Sequence, residues 1–152
     1  MKFKGDIIIT DPCYICKDGD WSKCGYGDNM GRLGIKNYIC RDTIYGDWSC
    51  TTFNSDTKEP IGEFCADAGL VAVFLLDEVL KYNPDFDYHI NRPWTTTLIK
   101  DFDGEVNFEV VHTEGVYDED TSWCKKGEKW EDASVQVVGK GNINFVGKQT
   151  GF

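Results

Sequence analysis

The longest uninterrupted apolar run in this chain, residues 70–76, is seven residues long. A bilayer-spanning helix needs roughly 20, so this run has the length of one buried strand and no membrane span is expected. The remaining apolar residues come in shorter blocks, separated by Gly, Asp, Asn or Pro. Chains divided in this way build sheets from short strands joined by tight turns. With 152 residues, 41% of them hydrophobic and 14% aromatic, the chain fits one domain, 1–152, with a ring-rich core.

Read in order, Ile7-Ile8-Ile9 is a strand stopped at Asp11-Pro12, because proline lacks an N–H and restrains its predecessor. Asp20 stands as N-cap before a short helix at 21–24, and Gly25, Gly27, Gly31 and Gly34 make the following stretch loop-like. Residues 38–44 and 48–53, rich in β-branched and aromatic side chains, flank Gly46-Asp47 as a hairpin. Strands at 63–66 and 70–75 are broken at Asp67-Ala68-Gly69, and Asp77 caps a helix ended by Asn83-Pro84. Residues 95–102 and 105–113 flank Asp103-Gly104, a hairpin turn signal. A polar loop with Trp123 and Trp130 fills 113–132, and a last hairpin turns about Gly139-Lys140-Gly141. The fold class expected is α+β: a mainly antiparallel, hairpin-rich sheet with two or three short helices.

Net charge of −10 repels phosphate backbones, so direct nucleic-acid binding is not expected. An acidic surface serves solubility, or it imitates nucleic acid against a basic groove on another protein. Residues 1–6 carry no apolar signal region, which points to the cytoplasm. In that compartment the seven cysteines are expected to be free thiols. Cys13 and Cys16 form a C-x-x-C pair, yet no second close Cys or His pair completes a zinc site. No metal or cofactor is therefore expected; a homo-oligomer is compatible with the composition.

Three bends in the first half are the candidate site: Asp11-Pro12-Cys13-Tyr14, Tyr45-Gly46-Asp47-Trp48 and Asp67-Ala68-Gly69. Each reads two ways. Asp11-Pro12 is a turn with its carboxylate on backbone amides, or Asp11 and Tyr14 offer a carboxylate and a stacking ring to a ligand. Tyr45 and Trp48 bracket a hairpin turn as cross-strand partners, or Trp48 is a platform for a base. Asp67-Ala68-Gly69 is a bulge, or Asp11, Asp47 and Asp67 converge on a divalent cation. An anionic ligand would call on arginine, with Arg41 and Arg92 the candidates and Arg92 preferred beside Pro93-Trp94. No G-x-S-x-G, H-E-x-x-H or phosphate-cradling G-x-x-x-x-G-K-[ST] is present, and His89 and His112 lack the H-x-[ST] pattern of two-histidine phosphodiesterases.

The strings Ile8-Ile9-Thr10-Asp11-Pro12-Cys13-Tyr14-Ile15, Thr43-Ile44-Tyr45-Gly46-Asp47-Trp48-Ser49-Cys50 and Gly62-Glu63-Phe64-Cys65-Ala66-Asp67-Ala68-Gly69 stand in that order. Together they resemble a family of small uncharacterised proteins of tailed phages and prophages of gut bacteria. That family is marked by ordered DPCY, YGD and DAG motifs, and the resemblance covers nearly the whole chain. It implies a small protein expressed in an infected or lysogenic bacterial cell, and brings no catalytic residues with it.

Accessory phage proteins of this size often counteract host defence, which sets the functional expectations. The first is non-enzymatic sequestration of a nucleotide immune signal, with Tyr14, Tyr45 and Trp48 stacking the base and Arg41 or Arg92 taking phosphate. The alternative is an acidic inhibitor that binds a defence effector such as a CRISPR nuclease by mimicking nucleic acid. A third is a metal-dependent hydrolase using Asp11, Asp47 and Asp67.

Overall fold

A computed structural model describes every residue except Tyr45, Asn91, Pro93 and Phe152. Its strands are β1 (Lys2–Thr10), β2 (Tyr38–Asp42), β3 (Trp48–Asn54), β4 (Pro60–Ala66), β5 (Leu70–Leu75), β6 (Thr96–Val116), β7 (Lys129–Gly141) and β8 (Phe145–Gly151). They form one sheet in the order β2-β5-β1-β6-β7-β8-β3-β4, with every pairing antiparallel. Helices α1 (Leu76–Tyr82) and α2 (Asp87–Ile90) are short, and single 3-10 turns occupy Pro12–Tyr14, Met30–Leu33 and Pro84–Phe86. The mainly antiparallel sheet is present, with more strand than the α+β class implies. Among the described residues no helix is long and apolar enough to cross a membrane.

Strand alternation explains the two apolar clusters. Ile7 and Ile9 of β1 and Val71 and Val73 of β5 face one cluster, while Ile8, Ala72 and Phe74 face the other. The first cluster also takes Trp48, Phe64, Phe102, Val137 and Phe145 from strands across the sheet, so the sheet curls over its own inner face. Near that closure Thr97 Oγ1 of β6 donates to the Glu63 carbonyl at 3.0 Å and meets Thr52 Oγ1 at 3.1 Å. The second cluster is roofed by Ile15, Met30, Ile35, Val79 and Phe86. Burying such a side chain contributes roughly 1.5–3 kcal/mol, which places the triple isoleucine in the middle of the sheet, covered on both sides.

Several expected turns are not turns. β2 and β3 lie far apart in the strand order, so no hairpin forms about Gly46-Asp47; β2 pairs instead with the apolar β5. Asp103-Gly104 lies inside β6, held by Lys4 and Phe3 on one side and by Gly141 against Gly104 on the other. Two ladders override the local turn preference. The 113–132 loop contracts to 117–128, because β6 runs to Val116 and β7 begins at Lys129. The last hairpin forms, with its turn after Gly141. No helix follows Asp20: Gly25, Tyr26 and Gly27 adopt φ of 63°, 58° and 91°, which halts helical winding. The Asp20 carboxylate accepts from Tyr82 at 2.6 Å and pairs with Lys23 at 3.2 Å. Asp77 stands in the first turn of α1, with Leu75 in the cap position.

Candidate functional site

The three motif bends meet. Asp11 caps the Pro12–Tyr14 turn, with Oδ1 accepting from the Cys13 amide at 2.9 Å. Its Oδ2 crosses to the third motif and accepts from the Ala68 and Leu70 amides at 2.7 and 3.2 Å. The Gly69 carbonyl accepts from the Thr43 amide at 2.9 Å, and Thr43 Oγ1 donates to the Gly46 carbonyl. Gly69 and Gly46, at φ of 73° and 87°, come so close that a Cβ on Gly69 would lie 3.2 Å from the Gly46 Cα. One buried carboxylate thus ties two motifs together, and a pair of glycines admits the third.

Beside this knot is an open recess. Tyr14 is half-buried, packs against His89 with ring centroids 5.2 Å apart, and its hydroxyl lies beside the Cys65 thiol. His89 is also packed by Phe86 and Tyr88. The Arg92 guanidinium carbon is 4.9 Å from the Tyr88 ring centroid and 4.2 Å from that of Trp94. Trp94 and Cys65, with Ser49, Thr51, Glu63 and Thr150, line a cleft of about 160 Å³. The chain of neighbours closes, running from Tyr14 through His89, Arg92 and Trp94 back to Cys65.

Charges of both signs act on these residues. Asp67 acts on Cys13, Tyr14 and Cys65, and Asp47 on Cys65; both aspartates are exposed. Arg92 acts on His89 and stands against Tyr88 and Trp94. Burial foremost, then Asp11 and Asp67, pushes the Cys13 thiol well above its usual range. Burial likewise raises Tyr14 and Cys65, the latter drawn back by the Tyr14 hydroxyl. Burial, then Arg92, lowers His89, which is neutral at pH 7. A nucleophilic cysteine is favoured by the opposite, a lowered pKa.

The eight residues singled out from the sequence fare differently. Tyr14 and Arg92 belong to this run of neighbours, and Asp47 and Asp67 reach it only electrostatically. Tyr45 lies outside the described residues. Asp11 is fully buried and its oxygens are taken by backbone amides, so it offers no ligand contact. Trp48 is 3% exposed and packs in the inner core; alternation along β3 turns it inward with Cys50 and Thr52, so no base can stack on it. Arg41 lines a separate cleft of about 460 Å³ with Tyr26, Asp28, Asp42 and Leu70. The three aspartates form no metal centre, and among the described residues no group of three or more His, Cys, Asp or Glu is placed to hold a metal. Tyr88, His89, Cys65 and Trp94 were missed as site residues, although the spacing of Tyr88, Arg92 and Trp94 already put rings on both sides of the arginine.

The thiols carry a testable consequence. Burial pushes Cys40 and Cys50 up to about 12, whereas an unfolded thiol titrates near roughly 8.5. Between those values the folded state keeps protons that the unfolded chain has released, so stability is complete below the unfolded value and declines as pH rises toward the folded one. Tm is expected to be level from pH 7 to about 8.5 and to fall beyond it, with Cys50→Val blunting the fall. Equal Tm at pH 8 and about 10.5 would contradict this. The Cys16 and Cys24 sulfurs lie 3.8 Å apart, and burial, then Cys24, brings the Cys16 thiol up to about 12.

Comparison with protein-family models, with curated proteins and with solved structures finds no match for this chain.

Proposed function

We propose that this chain is a non-enzymatic phage or prophage accessory protein that binds a host nucleotide signal in the Tyr14–Arg92–Trp94 recess and so withdraws it from antiviral defence. The observation that carries the reading is the arginine held against two rings, one of which, Trp94, lines a cleft that also takes Glu63 and Cys65. A guanidinium held in place by stacking presents its N–H edge to phosphate in fixed geometry. Trp94, 47% exposed, offers a face to a base, a contact worth on the order of 1–3 kcal/mol. The carboxylate of the cleft accepts from exocyclic amines or sugar hydroxyls. The cleft has room for one planar ring, so the ligand lies largely on the surface and not in an enclosed pocket. The phage setting rests on the ordered motifs.

Calorimetric titration with cyclic nucleotides and ADP-ribose derivatives tests this. Binding is expected for at least one of them, with Arg92→Ala or Trp94→Ala weakening it by about tenfold or more and Arg41→Ala leaving it unchanged. Titrations without heat across the whole panel would end the proposal.

A further inference from the structure

The structure assigns a second, separate surface: we propose that the distal β6–β7 ribbon is an arm that docks into a basic, nucleic-acid-binding groove on another protein. β6 leaves β1 at Glu105, and β7 meets β8 only at residues 137–139. Beyond those points the two strands pair with each other alone, out to Val116 and Lys129. No residue from 110 to 116 or from 129 to 134 is buried. The side that faces the core at Val106, Val135 and Val137 continues outward through Val110, His112, Glu114 and Val116, which are exposed.

Charge is concentrated on this arm. Residues 109–132 hold eight acidic residues and three lysines, a net of −5 against −10 for the chain. Glu114 and Glu131 stand directly opposite each other, an arrangement that costs stability in an isolated ribbon and is relieved by a cationic partner. The tip is tied by its own hydrogen bonds. The Tyr117 amide donates to Glu128 at 3.0 Å and the Thr121 amide to Cys124 at 2.8 Å, while the Lys126 amide donates to Asp120 at 2.8 Å. Cys124 is buried within the tip, and its neighbour Trp123 is 81% exposed. A loop tied by its own hydrogen bonds that holds out one tryptophan lowers the ordering cost of a binding anchor. The complement of an acidic ribbon with an aromatic tip is a groove lined by Lys and Arg, such as the channel that holds the guide–target duplex in CRISPR nucleases.

The test uses the whole protein against three purified probes: a guide-loaded CRISPR nuclease, a restriction endonuclease and a neutral control protein. Binding to at least one nuclease is expected, competed by duplex DNA and weakening steeply from about 50 to 300 mM salt. Neutralising the arm with Glu109→Gln, Glu114→Gln, Glu131→Gln and Asp132→Asn together is expected to weaken it by about tenfold or more. Trp123→Ala is expected to cost about tenfold, while Arg92→Ala changes nothing. Circular dichroism of each variant checks that exposed substitutions leave the fold intact. No binding to either nuclease, or equal binding by the neutralised arm, would overturn the proposal. So would light scattering that shows the chain pairing with itself through Trp123, or neutralised arms that only self-associate, since the charges would then be guarding free strand edges.

Discussion

Gly104→Ala is expected to leave the protein unfolded or insoluble. A Cβ at this position would lie 2.3 Å from the Lys140 carbonyl oxygen and 2.7 Å from the Gly141 Cα. Both are backbone atoms, so no side chain can swing aside. Gly141 is the mirror case, with its own Cβ 2.2 Å from the Asp103 carbonyl oxygen. The need for glycine here is one of space and not of backbone angle, because neither residue has a left-handed φ. Nor can β6 shift to make room, since β1 holds it on one side and β7 on the other at this point. Overpacking a fixed core site costs about 1–3 kcal/mol, and a backbone clash held from both sides exceeds that. Total stability is only about 5–15 kcal/mol. Soluble yield and urea unfolding check the outcome, with Lys100→Ala, an exposed site on β6, as the control. A Gly104→Ala protein that melts like wild type would show that the crossing is not so tight.

Asp11→Ala is expected to lower Tm by roughly 8–15 °C. Its carboxylate serves three amides, those of Cys13, Ala68 and Leu70. Burial raises its pKa while those donors pull it down, a balance that keeps three hydrogen bonds on one dry group. Removing it leaves three N–H groups without an acceptor, each costing about 1–3 kcal/mol when dry; because all three are only partly buried, the loss is near the low end, about 3–5 kcal/mol. Asp11→Asn is expected to fall between, because its amide nitrogen cannot accept from a backbone N–H. Scanning fluorimetry reads both. A Tm within about 2 °C of wild type for Asp11→Ala would mean that the motifs are joined by something other than this carboxylate.

How much of this was legible depends on the range of the interaction. The strands at 7–9 and 70–75 were plain, because both faces are buried and the apolar residues run on without a break. Gly46-Asp47 and Asp103-Gly104 misled for one reason: both are good local turns, and their fate was decided by strands arriving from elsewhere. Gly104 is a glycine because Gly141 passes it, and nothing within ten residues says so. Trp48 was readable in principle. Trp48, Cys50 and Thr52 alternate with Ser49 and Thr51, and the first set is the one that turns inward. The turn reading of Asp11 was correct, but its partners lie 57 and 59 residues away, where spacing carries no signal. Arg92 was singled out by its neighbours in the chain, whereas the meeting of Tyr14 with His89 required the fold.

The position of the first strand has a cost during synthesis. Ile7 and Ile9 pair with Leu75 and Val73 on one side and with Ile99 and Thr97 on the other. A ribosome adding about 5–20 residues per second therefore leaves that greasy opening stretch without either neighbour for several seconds. Cells making this protein fast, or at high temperature, should accumulate it as aggregates of nascent chains unless a chaperone shields the amino-terminal end until the middle of the polypeptide emerges.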